Sequence, residues 1–187
     1  MSSGPTVQIT LRVAHTADLA PGVLDEAREL LMAVFDGEFE EADWEHALGG
    51  MHVIARHGPD VVGHGSVVQR RLLVGGRSLR AGYVEGVGVH PDWQRRGIGS
   101  EMMAALERII RAAYDIGALG SSEEGVGLYS SHGWRPWRGP LSALTPAGPV
   151  GTPEEQGWVW VLADGPLDID LDFDDELTCD WRDGDVW

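Results

Sequence analysis

The chain has 187 residues, one cysteine and a formal net charge of −16. That is long enough for one domain over 1–187 with a buried core and no disulfide, and acidic enough to exclude nucleic acid while favouring a cationic partner. All 14 basic residues are Arg and none is Lys, which removes Schiff-base chemistry, a Walker phosphate loop and a catalytic lysine. Cys179 has no partner for a disulfide, no Cys/His cluster has metal-ligand spacing, and no apolar run approaches about 18 residues. The expectation is a cytoplasmic protein without metal or membrane.

Val7 to Ala14 alternates apolar and polar residues, the period of a half-buried strand. After capping residues from Thr16, Leu24, Ala27, Leu30, Leu31 and Val34 share one face of a helix that should end near Phe35. Glu40 to Leu48 reads as a short second helix closed by Gly49-Gly50. Met51 to Arg56, Val61 to Val74 and Arg77 to Val89 are apolar-rich and separated by turn residues, so an antiparallel three-stranded meander is expected. From Gly97 the apolar residues recur at helical spacing as far as Gly117. Ala118 to Ser121 reads as a strand, Glu123 to Ser131 as a helix, and Trp134 to Arg138 and Trp158 to Leu162 as two strands joined by a Pro/Gly-rich stretch from Pro140 to Pro153. Asp164 to Trp187 holds ten Asp/Glu and one Arg, Arg182. The order is that of a mixed α/β (α+β) domain, a mostly antiparallel sheet flanked by helices.

Charge is unevenly distributed: Val61 to Ser100 carries six Arg against Glu85 and Asp92 in an otherwise acidic chain. Within it, Val87-Gly-Val-His-Pro-Asp-Trp-Gln-Arg-Arg-Gly-Ile-Gly-Ser100 runs from a strand end through an Arg/Gly loop into a helix. Free N–H groups and the positive helix end converge there, a geometry that binds phosphate. An ordinary strand-to-helix turn would have the same outline.

Gln94-Arg95-Arg96-Gly97-Ile98-Gly99 resembles the Gln/Arg-x-x-Gly-x-Gly/Ala loop with which GNAT acetyltransferases grip the coenzyme A pyrophosphate, and Leu128-Tyr129-Ser-Ser-His-Gly-Trp134 resembles the second GNAT signature, with Trp for Phe. Ser122 stands where the family often has a cofactor-contacting Asn, and Gly125 where it often has Ala. Asp43 to His52, Gly82 to Val87 and Cys179 to Trp187 are similar to the aminoglycoside 2'-N-acetyltransferase family. The resemblance implies the GNAT fold, acetyl-CoA as donor, an aminoglycoside as the cationic acceptor, antibiotic resistance and a homodimer. It implies a cofactor site at Val87, Val89, Gln94, Arg95, Arg96, Gly97, Ile98, Gly99, Ser100 and Ser122.

Acetyl transfer by direct attack in a ternary complex needs a neutral amine, a polarised thioester carbonyl and a proton for the leaving sulfur. Glu85, in an apolar strand, is the candidate base; an outward-facing surface Glu is the alternative. Gly86 and Gly88 around Val87 suggest a bulge, and the family places the carbonyl on a backbone N–H here, so Val87 takes the oxyanion role. Tyr129 is the candidate acid, or else a core aromatic. Glu38, Asp43, Glu85, Glu155, Asp185 and Trp187 with its free carboxylate are the candidate acceptor ligands, the segment 164–187 then completing the acceptor site rather than trailing as solvated charge. The seven histidines are read as structural. Two other functions share these features: acetylation of another polyamine or metabolic amine, and noncatalytic binding of acyl-CoA or aminoglycoside.

Overall fold

The computed structural model describes residues 8–165 and 169–187. Strand β1 (Ile9–His15) is followed by α1 (Pro21–Val34) and α2 (Glu41–His46), then by β2 (Met51–His57), β3 (Asp60–Val74) and β4 (Arg77–Val89). Helix α3 (Ile98–Ala113), β5 (Ile116–Gly120) and α4 (Val126–Ser131) come next. Strands β6 (Arg135–Pro136), β7 (Leu141–Thr145), β8 (Gly148–Gly151), β9 (Val159–Leu162) and β10 (Leu177–Cys179) complete the order. Val7, expected to open β1, lies outside the described residues. No helix among the described residues is long and apolar enough to cross a membrane.

Among the described residues one sheet of ten strands runs β6-β9-β5-β4-β3-β10-β7-β8, with β2 also on β3 and β1 on β2. All pairs are antiparallel except β4 with β5 and β10 with β7, so the expected mixed, mostly antiparallel sheet is present. The meander β2-β3-β4 is as read from its turns. A parallel neighbour needs a crossover, and α3 supplies it between β4 and β5. Its Ile98, Met102, Met103, Ala105, Leu106 and Ile110 are buried on the helical period and close one face of the sheet. On the other face, Ala14, Ala27, Leu31, Trp44 and Ile54 form a core under α1 and α2.

Three parts differ from the sequence expectation. Helix α3 stops at Ala113, and Ile116 and Gly117 belong to β5, where Ile116 is buried against β4. The stretch Pro140 to Pro153 contains the hairpin β7-β8, built despite its Pro and Gly because β7 pairs with β10 as well. The acidic terminal segment places Leu177–Cys179 between β3 and β7, with Phe173, Leu177, Cys179 and Trp187 buried. Long-range pairing and four apolar anchors override the local acidic composition.

The C-terminal end of β4 is irregular in two ways. It pairs with β5 only over Ala81–Val84, so the ladder stops there and Glu85–Val89 runs on without β5 beside it, an opening here called the splay. Opposite β3, His64 pairs with Gly88 and Ser66 with Glu85, so Gly86 and Val87 together face Gly65. Gly86 has φ +55°, the left-handed glycine of a G1-type bulge.

Candidate active site

At one side of the splay lies the loop 94–100. Gly97 is the N-cap of α3 with φ 85° and no side-chain cap, so the first N–H groups of a 16-residue helix are presented outward. Nothing lies within 4 Å of where a Gly97 side chain would begin. Arg95 is exposed and itself left-handed, φ 58°, a conformation uncommon for a residue with a Cβ. The Arg96 guanidinium stacks on Trp93, 4.7 Å from the ring centroid. Gln94 donates to the Val89 carbonyl at 3.0 Å, tying the loop to the end of β4. A pyrophosphate fits this cradle: backbone donors, open space at Gly97 and two guanidinium groups.

The loop is bonded to α4. Ser100 Oγ is 2.7 Å from His132 Nε2, His132 Nδ1 is 2.9 Å from Glu107 Oε1, and Trp134 Nε1 donates to the same oxygen at 2.9 Å. Tyr129, on α4, is 8% exposed beside Trp134. Desolvation pushes its phenol up to about 12, so it holds its proton at neutral pH. Ser122 is exposed ahead of α4, and its carbonyl accepts from Gly125 N–H at 3.1 Å.

On the other side of the splay three of the acidic candidates, Glu85, Asp185 and Trp187, converge around Arg182, to which the sequence pattern assigns no role. Arg182 Nη1 donates to Glu85 Oε1, Nη2 to the main-chain oxygen of Trp187 at 2.8 Å and Nε to that of Asp185 at 2.7 Å. The Trp187 N–H returns to Asp185 Oδ1 at 3.0 Å, and its indole N–H to Thr152 Oγ1 at 2.8 Å. A Cβ on Gly120 would stand 3.6 Å from the Trp187 carbonyl carbon, so the tail ends at the tip of β5. Arg70 and Arg182 both lie over the Tyr83 ring, and Arg70 pairs with Asp180 at 2.8 Å.

Burial raises the pKa of Glu85 above the usual carboxylate range, with Arg182 opposing the shift. Desolvation also raises Glu155, helped by Asp185 and Glu154 nearby. Asp43 caps α2, accepting the Glu40 N–H at 2.7 Å, and His46 on the same helix meets the Asp183 carbonyl at 2.7 Å. Glu38 is exposed after α1; among the described residues no hydrogen bond or ion pair joins it to this group. Cys179 is buried and desolvation pushes its thiol up to about 11, opposite to the lowered pKa of a reactive cysteine.

Arg182 carries one signal in the sequence, as the lone cation of the acidic tail. His132, which ends α4, and Glu107 of α3 lie 25 residues apart and carry none.

Residues 17–137 match the family described as an acetyltransferase (GNAT) domain. An aminoglycoside 2'-N-acetyltransferase from Mycolicibacterium fortuitum is 48% identical over 95% of this chain and 92% of that protein. Among solved structures, a GNAT family acetyltransferase from Brucella melitensis in complex with acetyl-CoA superposes with a TM-score of 0.58 at 19% identity, covering 89% of this chain and 94% of that one. Eis1 from Mycobacterium abscessus gives a TM-score of 0.60 at 19% identity; it is matched over 72% of this chain, which spans only 33% of that protein. These two likenesses establish the fold. The chain therefore belongs to the GNAT acetyltransferases and, within them, to the aminoglycoside 2'-N-acetyltransferase family.

Proposed function

We propose that the chain transfers an acetyl group from acetyl-CoA to the 2'-amino group of an aminoglycoside in a ternary complex, and so confers resistance. The observation that carries this reading is the convergence at one splay of a buried carboxylate, a glycine bulge and a set of tail oxygens, with an uncapped helix N-terminus on the far side. Family membership and the acceptor named for the M. fortuitum relative support the substrate. Acetyl-CoA supplies an activated acetyl thioester when bound. Gly97, Ile98, Gly99 and Ser100 would offer N–H groups to its pyrophosphate and Arg95 and Arg96 would add charge, with Ser122 and the backbone of Val89 as further contacts for the cofactor.

On the acceptor side, Glu85 Oε1 is held by Arg182, while Oε2 has no hydrogen bond among the described residues. Oε2 takes the proton of the 2'-ammonium, directly or through a water, and the raised pKa makes that transfer easier. The Val87 N–H receives the developing charge on the carbonyl oxygen. As the carbon–sulfur bond breaks, Tyr129 gives its proton to the sulfur; the second proton shed by the acylated nitrogen reprotonates the phenolate through water, and the proton on Glu85 is released to solvent. Glu155, Asp185, Asp43, Glu38 and the Trp187 main-chain oxygen hold the remaining ammonium groups. A cytoplasmic homodimer and a single domain over 1–187 belong to the same reading, the dimer resting on the family resemblance and the other two on length and composition.

Coenzyme A thiol release with tobramycin against a 2'-hydroxyl aminoglycoside tests the proposal. Release with the first alone is expected. Equal release with both would shift the reading to another amine, and none with either would leave a binding protein.

A further inference from the structure

Behind the bulge, on the α1 and α2 side, two histidines occupy strand positions where packing alone would be served by an aliphatic residue. His52 of β2 and His64 of β3 are both 0% exposed, with ring centroids 5.2 Å apart and Trp44 covering His64 at 5.5 Å. Burying two imidazoles is costly unless each ring nitrogen is paired, and all four are. His64 Nδ1 is 2.7 Å from the Gly86 carbonyl oxygen. His64 Nε2 is 2.9 Å from His52 Nδ1. His52 Nε2 is 2.7 Å from Thr16 Oγ1, which accepts the Gly49 N–H at 2.8 Å.

The direction of every bond follows from one end. A carbonyl oxygen only accepts, so His64 Nδ1 carries the hydrogen and, in a neutral ring, its Nε2 accepts. His52 Nδ1 must then donate, which leaves His52 Nε2 to accept from the Thr16 hydroxyl. Desolvation keeps both rings neutral, lowering His52 to about 4 and His64 to about 3. With neutral rings no other placement of protons satisfies these contacts, and the Gly50 carbonyl, 3.3 Å from Thr16 Oγ1, is the more distant of the two acceptors open to the hydroxyl hydrogen.

We propose that this relay from Thr16 through His52 and His64 to the Gly86 carbonyl positions the Val87 N–H for catalysis, making the two histidines positioning residues for acetyl transfer. The proposal rests on the oxyanion role of Val87 proposed for the reaction. Carbonyl and N–H of one trans peptide point in opposite directions within one plane. Holding the Gly86 carbonyl on the His64 side therefore aims the Val87 N–H away from it, across the strand. Gly86 cannot hold that plane alone: it is left-handed, has no side chain and sits where the bulge interrupts the ladder. A donor fixed in advance costs no reorganisation when charge develops, whereas a small misplacement is expensive.

His64→Leu removes the donor at similar bulk, and His64→Asn restores an N–H near the Nδ1 position. His64→Leu should lower kcat on the order of 10² with both KM values little changed, and His64→Asn should recover most of the loss. The thioester carbonyl stretch of bound 13C-labelled acetyl-CoA, lowered by the wild type, should return toward its free value in His64→Leu. If the buried leucine fails to fold, Thr16→Val breaks the relay at its far end, where a several-fold drop in kcat is expected, while Thr16→Ser should behave as wild type. Long-range 15N–1H correlations should find both rings protonated at Nδ1. Wild-type kcat and an unmoved stretch in a folded His64→Leu or Thr16→Val protein would overturn the relay alone, as would an Nε2-protonated His64. A wild type that does not lower the stretch would overturn the Val87 reading and the relay with it.

Discussion

The two sides of the splay between β4 and β5 are built by opposite means. The loop side is contiguous, from Gln94 to Ser100, and its donors are backbone N–H groups aimed by α3. The acidic side is gathered from β4, the 3-10 turn Pro153–Glu155 and the tail, and its oxygens stay together because Arg182 stands among them. Backbone donors need only a local conformation, which glycine supplies. Carboxylates repel one another and lose hydration on burial, so a site made from them needs an internal cation, here Arg182 of the tail, brought by folding to Glu85. One side is therefore local in sequence, and the other exists only after folding.

That contrast predicts separable damage. Glu85→Gln should lower kcat on the order of 10³, the range for a lost general base, with acetyl-CoA affinity unchanged in a calorimetric titration. A parallel loss of acetyl-CoA binding would mean that the two sides are not independent. Arg182→Met leaves Glu85 buried without its partner; both side chains are nearly enclosed, at 14% and 12% exposure. Removing one partner of such a pair should cost about 3 kcal/mol in urea unfolding, and acceptor KM should rise while acetyl-CoA affinity holds. An unchanged urea midpoint would show that the tail needs no cation.

On the loop side the expected effects are smaller. Tyr129→Phe should reduce kcat on the order of 10² with little change in either KM; unchanged kcat with a lowered Tm would make Tyr129 a core aromatic only. Gly97→Glu sets a carboxylate against the phosphate cradle in a left-handed position. Acetyl-CoA affinity should fall about tenfold or more, and aminoglycoside affinity should stay. If aminoglycoside affinity fell with it, the sides would be coupled through the splay.

The same division explains how much of the molecule is legible in its sequence. The β2-β3-β4 meander and α3 follow from turn residues and apolar period, and the loop 94–100 follows from a contiguous pattern. Strand β10 is three residues in an acidic segment, recognisable only once β3 and β7 offer edges on both sides. The hairpin β7-β8 hides in a Pro/Gly-rich stretch for the same reason. Glu85 and Arg182 lie 97 residues apart, and no local periodicity links them. Reading the seven histidines as structural passes over hydrogen bonding: His52 and His64, buried in apolar strands, are the visible sign that partners have to exist.

The last prediction concerns those histidines, because they sit behind the acidic side and not behind the loop. In the unfolded chain both imidazoles titrate near 6.5, whereas the folded values are about 4 and about 3. Well above pH 6.5 neither state binds a proton at these rings, and their contribution to stability is complete. Below it the unfolded chain binds protons that the native state refuses, so unfolding becomes more favourable as pH falls toward the folded values. Each histidine should cost about 1 kcal/mol between pH 6.5 and 5.5, about 2 kcal/mol for the pair. His46, also lowered by burial, adds in the same direction. Glu85 acts the other way, since a carboxyl whose folded pKa is raised costs the native state less as it is protonated. Urea unfolding at the two pH values measures the slope, and replacing His52 and His64 together by Asn should flatten it, while Gly97→Glu should leave it as in the wild type. A slope that survives the double replacement would move the acid sensitivity out of the relay and onto groups shared by both sides of the splay.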